Sequence, residues 1–469
     1  MDVVDHKPVG LHLVFALLES LAPGLLGIRL GVCVATAASA WALHRVARVS
    51  SGSTAGWIAA LLFTFHALGS RGLEANAEVF FTPWVVAAFL VAVFEPMAAS
   101  QPPGLGRCAA AGLLLGIALQ VKYVVVFECV GVAMLVAWLT SRGAARAEWP
   151  RRLGPRLLVL AGMAIVPTVP IVMYFAATGH WAEFVRYSIE ANVIHRADTA
   201  FNSARLAGSL SRQVLESPLL WMASLSAPLV AWRGSASLRR PVAAGLLWAA
   251  CAALGIAFTR SFFRHYYLQL VPAQCLLAAV TLAWLVEGMA ATRRWATLLL
   301  CLVQPVMALA RAPLAASAGV VASWIREGSP PSDTPQEIAD WIRPRLAPGE
   351  RIYVADYPIV IHYLLGSPPL TRFVFPEFLT IAHFSRVAGV DPVAELDAIL
   401  ARSPRYVIRR RSDSGPFYER LEQRLHEHYA LERSFEESDP REWQESEAPE
   451  EDRYIEVYRL VGDERVGVR

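Results

Sequence analysis

The chain of 469 residues is 55% hydrophobic, 18% charged and carries a formal net charge of +3, with a mean hydropathy of +0.40. That balance excludes an ordinary soluble domain and a nucleic-acid binder driven by basic charge. All six cysteines (Cys33, Cys108, Cys129, Cys251, Cys275 and Cys301) lie in apolar segments without C-x-x-C spacing, which excludes a disulfide framework or zinc site and leaves them as small core residues.

The opening stretch, DVVDHKPVG (2–10), is crowded with charge (Asp2, Asp5, His6, Lys7) and is no basic leader of a cleavable signal peptide. Residues 9–21 are too short to span a bilayer and carry His12 and Glu19, so they predict a helix lying at the interface. A spanning helix needs roughly 20 apolar residues. Candidate spans follow at about 25–44, 54–70, 78–95, 107–120, 121–140, 157–176, 217–232, 241–258, 266–287 and 295–314. The expected fold class is therefore a polytopic α-helical membrane protein of about ten spans.

The connections alternate in character. One set is rich in arginine and poor in acids: Arg45 and Arg48, Arg107, Arg142 to Arg156, Arg233 to Arg240, and Arg293 and Arg294. By the positive-inside rule these face the cytoplasm, and the opening stretch, the loop at 177–216 and the tail face outward. After a linker at 315–332 the chain turns polar and alternates. DTPQEIADWIRPRL (333–346), PVAELDAILARS (392–403) and PFYERLEQRLHEHY (416–429) read as helices; RIYVAD (351–356), RYVIRR (405–410) and YIEVYRLV (454–461) read as strands. This predicts a soluble C-terminal α/β domain over 333–469, following an outer-loop end at 1–24 and a helical bundle at 25–314. The glycine-rich nucleotide loops and H-E-x-x-H are absent.

Ionisable residues on the outward side cluster at helix ends: Asp5-His6-Lys7, Glu74 and Glu78, Lys122, Arg186 and Arg196, and Arg260 to His265. Acids and bases at a membrane edge suit a substrate with an anionic headgroup and an apolar tail, the cations holding phosphate and a carboxylate taking a proton. Plainer readings exist for each. Loop charges are commonly solvated, Asp5 and Lys7 suit a local pair capping the interfacial helix, and Glu78 suits a helix N-terminus. His265 among aromatics suits an interface anchor. Lys122, flanked by GLLLGIALQV and YVVVF, either snorkels or is functional.

Five stretches in order give the chain its resemblance. DHKPVG (5–10) is similar to a D-H/E-K-P-P-G loop end, with Val9 for the second proline. GLEANAEVF (72–80), GLLLGIALQVK (112–122), GHWAEFVRYSIEANVIHR (179–196) and FRHYYLQLVP (263–272) follow. Together they resemble the GT-C glycosyltransferases that use polyprenyl-phosphate sugars, the protein mannosyltransferase and aminoarabinose transferase group. The resemblance implies inverting sugar transfer to an acceptor hydroxyl or amine on the outer face of the cell membrane, without cofactor or metal. The implied partners are the lipid-linked donor, a glycan, lipid or protein acceptor and the bilayer, with no nucleic acid. It implies Asp5 and Glu78 as catalytic carboxylates and Lys7, Lys122 and Arg196 as donor-phosphate ligands. His6, Glu74, His265 and Tyr267 are the outer-cavity residues it implies. It also implies a preceding helix and a leading catalytic Asp that this sequence lacks. The expected explanation is a start at an internal Met; the alternative is an inactive copy serving as a membrane scaffold. A transporter of lipid-linked solutes is a third class, disfavoured because no internal repeat is visible and the charges hug one face.

Overall fold

A computed structural model gives two compact units, one of residues 7–178 and 199–317 and a smaller one of 1–6, 179–198 and 318–469. The structure describes residues 4–72, 74–142, 145–198, 201–287, 333–356, 359–410, 415–437 and 454–461, with isolated positions between 289 and 326; the side chains of 195–198 are outside that set. The expected span at 295–314 and the linker at 315–332 lie outside the described residues, apart from those isolated positions.

The larger unit is helical. Its elements are α1 (Val9–Leu21), α2 (Leu25–Gly69), α3 (Ala77–Ala98), α4 (Leu105–Val121), α5 (Val126–Ser141), α6 (Trp149–Ile165) and α7 (Thr168–Ala177). After two helices of the smaller unit, α8 (Trp181–Val185) and α9 (Ala191–Asp198), come α10 (Ser203–Glu216), α11 (Pro218–Arg233), α12 (Ala236–Thr259) and α13 (Val271–Val286). Among the described residues, four helices are long and apolar enough to cross a membrane: Leu25–Gly69, Ala77–Ala98, Tyr123–Ser141 and Ala236–Thr259. Two pairs bent by 45° and 96°, Arg146–Ile165 with Thr168–Ala177 and Ser203–Glu216 with Pro218–Arg233, bring the number to as many as six where each pair counts as one span. α2 holds two of the expected spans. It breaks at Ser51 and Gly52, where Gly52 takes φ 90° and ψ 176°, a conformation open to glycine alone.

The bundle core draws on α2 to α5 and on α11 to α13, with Trp248 of α12 stacked on Phe89 of α3 at 4.2 Å. Its outer surface exposes Leu26, Trp41, Met134, Met222 and Leu254, as a surface bathed in hydrocarbon does. The G-x-x-x-G of α4 is a packing device. A Cβ at Gly112 would strike the carbonyl of Leu160, and one at Gly116 that of Ala164, so α4 and α6 lie backbone to backbone, as small residues permit between helices in lipid.

The smaller unit carries α14 (Thr334–Ile342), β1 (Ile352–Val354), α15 (Val360–Leu365), α16 (Glu377–Thr380), α17 (Ala382–Ala388), α18 (Pro392–Leu400), β2 (Tyr406–Arg410), α19 (Pro416–His428), β3 (Tyr429–Glu436) and β4 (Tyr454–Leu460). Asp333 and Asp391 cap α14 and α18 by accepting backbone N–H groups, with proline next in the first turn. The strands form one sheet in the order β1-β2-β4-β3, parallel between β1 and β2 and antiparallel elsewhere. Alternation puts Ile352, Val354 and Ile408 against Ile338 and Ile342 of α14 on one face. Tyr353 and Val407 meet Leu396 of α18 and Leu421 of α19 on the other. Among these, β3 and α15 to α17 were not legible in the sequence.

Candidate active site at the helix ends

The larger unit brings two of the anticipated residues into contact. Glu78 lies in the first turn of α3, where the helix dipole favours a carboxylate. Lys122 follows α4 in extended conformation (φ −156°, ψ 126°), ahead of a tight turn at Tyr123–Val125 that leads into α5. That break aims the ammonium back at α3, where it forms an ion pair with Glu78 Oε1. The carboxylate side chain is 2% exposed and the lysine 21%, so Glu78 is closed off behind a cation that water reaches.

A third group completes the pair. The Lys122 ammonium lies 4.0 Å from the centroid of the Tyr266 ring, within cation–π range. Tyr266 belongs to a 3-10 turn, Arg264–Gln269, that joins α12 to α13. Its ring meets His265 edge-on at 4.6 Å, and His265 stacks on Phe263 at 5.8 Å. Arg264 ties the turn to the neighbouring helix ends through Glu216 at 2.6 Å and the Gly69 carbonyl at 3.1 Å. Tyr267 points the other way, into a cluster with Ala252, Ile256, Phe262 and Leu270. Sequence reasoning chose Tyr267 and passed over Tyr266, although the F-x-H-Y pattern places its tyrosine at 266.

Lys7 lies in the same unit, at the entry to α1. A Cβ at Gly10 would strike the backbone of Gln120, so the glycine of the DHKPVG stretch lets α1 close onto the last turn of α4, two residues before Lys122. Glu74 sits apart from the pair, with Arg71 at 3.4 Å and Asn76 at 2.9 Å. Asp5 and His6 belong to the smaller unit and lie 3.5 Å apart, with the His6 ring against Phe375, Phe378 and Phe384. Arg196 is in α9, and its side chain lies outside the described residues.

Glu128 was missed. It is fully buried in the second turn of the Tyr123–Ser141 helix and accepts a hydrogen bond at 2.5 Å from Gln269, the last residue of the turn that carries Tyr266. An acid written inside FECVG reads in sequence as one polar interruption; its partner is 141 residues away. An apolar cavity of about 380 Å³ lies between α2, α11 and α13, bounded by His66 and Arg233, and none of the acid–cation cluster lines it. Among the described residues no group of three His, Cys, Asp or Glu is placed to hold a metal ion.

The larger unit is thus an apolar helical bundle with a buried acid–cation pair at its helix ends. Residues 5–174 match the family model described as dolichyl-phosphate-mannose-protein mannosyltransferase, a match that ends before the tail. The fold is similar to the crystal structure of ArnT from Cupriavidus metallidurans bound to undecaprenyl phosphate. The two share 15% identity and a TM-score of 0.59 over 97% of this chain and 88% of that one. The apo state of the same protein gives 0.57 at 15% identity, with the same coverage. An oligosaccharyltransferase from Archaeoglobus fulgidus aligns more loosely, at 13% identity and a TM-score of 0.45 over 86% of this chain and 59% of that one. The curated proteins give no match. The family match covers residues 5–174, and over 97% of its length the chain shares the fold of ArnT.

Proposed function

We propose that the chain transfers a sugar from a polyprenyl-phosphate donor to an acceptor hydroxyl or amine, with inversion, on the extracytoplasmic face of the cell membrane. The observation that carries the reading is the Glu78–Lys122 pair beneath the Tyr266 ring. The ArnT structure holds undecaprenyl phosphate, and a lipid phosphate at a membrane edge calls for such a cation. The arginine-rich connections favour the assigned face, with the C-terminal domain also outside.

In this reading the bond from the anomeric carbon to the phosphate oxygen breaks, and the phosphate leaves with the electron pair. The acceptor oxygen or nitrogen bonds the same carbon from the opposite side, and its proton passes to a carboxylate. An ammonium has three donors; Glu78 takes one, and the accessible side of Lys122 offers the others to phosphate. Lys7 and Arg196 supply further positive charge as the leaving group gains its own. Phosphate draws Lys122 away from Glu78, and the uncovered carboxylate becomes the base. In this reading Asp5 is the second carboxylate, and His6, Glu74 and His265 are the outer-cavity residues. Binding of the donor thus switches on the base.

The test uses membranes containing the full chain and a radiolabelled polyprenyl-phosphate sugar, following label that leaves the lipid-phosphate fraction. Glu78→Gln is expected to keep donor binding and lower transfer about 100-fold or more. Lys122→Ala and Lys7→Ala are expected to weaken donor binding first. Transfer untouched by both Glu78→Gln and Lys7→Ala overturns the assignment.

A further inference from the structure

Three segments far apart in sequence meet inside the smaller unit, and Arg372, in the last of them, touches the other two. Its carbonyl accepts the N–H of Val4 at 2.8 Å. Its guanidinium donates to Glu183 Oε1 of α8 at 3.1 Å and lies 6.0 Å from the Tyr187 ring. Its own chain is fixed by Thr371, whose hydroxyl donates to Glu395 of α18 at 2.7 Å and accepts the N–H of Phe373 at 3.1 Å.

The apolar contacts repeat the pattern. Val4 is fully buried in one cluster with Tyr187, Ala191, Phe378, Phe384 and Leu396. The His6 ring lies 5.2 Å from Phe384 and 6.1 Å from Phe378. Asn192 of α9 donates to the His6 carbonyl at 2.7 Å and to Ser188 at 3.0 Å. Residues 4–6 form no helix or strand. Their order therefore comes from these contacts, since an irregular outer segment has little stability of its own. Lys7 is the next residue.

We infer that the C-terminal α/β domain is a clamp on the opening stretch and the long outer loop, with Arg372 the positioning residue that sets the loop presenting Lys7. The inference rests on the reading of Lys7 as a ligand of the donor phosphate. The clamp spends the tail's core on segments that precede it by hundreds of residues, which a mere appendage does not do. Glu183 carries the electrostatic part. Burial works to raise its pKa, yet hydrogen bonds from Arg372 and His180 hold the carboxyl below its ordinary value.

Two measurements on the full-length protein test this. Hydrogen exchange reads the clamp without reference to activity. In the parent the Val4 amide and the 181–198 region exchange slowly, and Arg372→Ala and Asn192→Ala each speed exchange there about tenfold. Donor kinetics read the positioning role. Arg372→Ala raises the KM for polyprenyl-phosphate sugar about tenfold with kcat changed far less, and Arg372→Lys recovers most of the loss. Unchanged exchange in both alanine variants overturns the clamp. Faster exchange with an unchanged donor KM overturns the positioning of Lys7. A parent that protects Val4 but transfers no sugar leaves the clamp standing and defeats the reading of the site.

Discussion

At the scale of single residues the site is an exercise in burying charge. Removing one member of a buried ion pair leaves the other uncompensated, whereas removing both does not. Lys122→Met is therefore expected to cost on the order of 3 kcal/mol. The double variant with Glu78→Gln should cost less than the sum of the two single changes. Thermal unfolding of the four proteins in detergent reads this coupling, and additive shifts refute it. Glu128 is a second buried acid, held by the neutral amide of Gln269. Glu128→Gln keeps the shape and a hydrogen-bonding partner for Gln269, while Glu128→Ala leaves a buried amide donor unsatisfied at about 1–3 kcal/mol. The larger drop in unfolding temperature is expected for the alanine. Lys122 was legible because a lysine between apolar runs demands an explanation. Tyr266 and Gln269 were not, because each partner is more than a hundred residues away and no local pattern announces it.

Among the elements, those with a regular period were read well and those without one were not. The helices opened by Asp333 and Asp391 show capping residue, proline and apolar spacing in plain sequence order. The strand at Tyr429–Glu436 shows none of this. It is the sheet edge, buried only at Tyr429 and Phe435, and its register shifts between Leu431 and Arg433, so alternation never appears. The glycines of α4 were noticed as a motif, but their physical reason is contact with α6. Gly112→Val and Gly116→Val must push two backbones apart, at about 1–3 kcal/mol each, and a full-length protein that unfolds no earlier with either change contradicts this packing. In α15, burial depresses the pKa of His362 below its ordinary 6.5, opposed by a 2.9 Å contact with the Ser367 carbonyl. The unfolded chain then binds the proton more readily than the folded one, so stability is full above pH 6.5 and falls as pH drops below it. Hydrogen exchange in α15 at pH 7.5 and 5.5 should show this loss, and His362→Gln should flatten it.

For the molecule as a whole, hydropathy made the bundle evident, and alternation made three of the four strands among the tail's described residues evident. The grouping of residues 1–6 and 179–198 with the tail was hidden, because a contact between Val4 and Arg372 leaves no mark on either stretch. That grouping combines with the sheet order β1-β2-β4-β3. The strand at Tyr454–Leu460 is last of the four in the chain, yet it lies inside the sheet and pairs with both Tyr406–Arg410 and Tyr429–Glu436. A chain emerging from the ribosome thus makes its membrane helices long before it has the strand that completes the sheet. A nascent or prematurely ended chain that stops before residue 454 can form its bundle, but its sheet is split, because the strand between Tyr406–Arg410 and Tyr429–Glu436 is missing. The order of synthesis thus leaves the sheet of the smaller unit to be closed last, after the helices of the larger unit have been made.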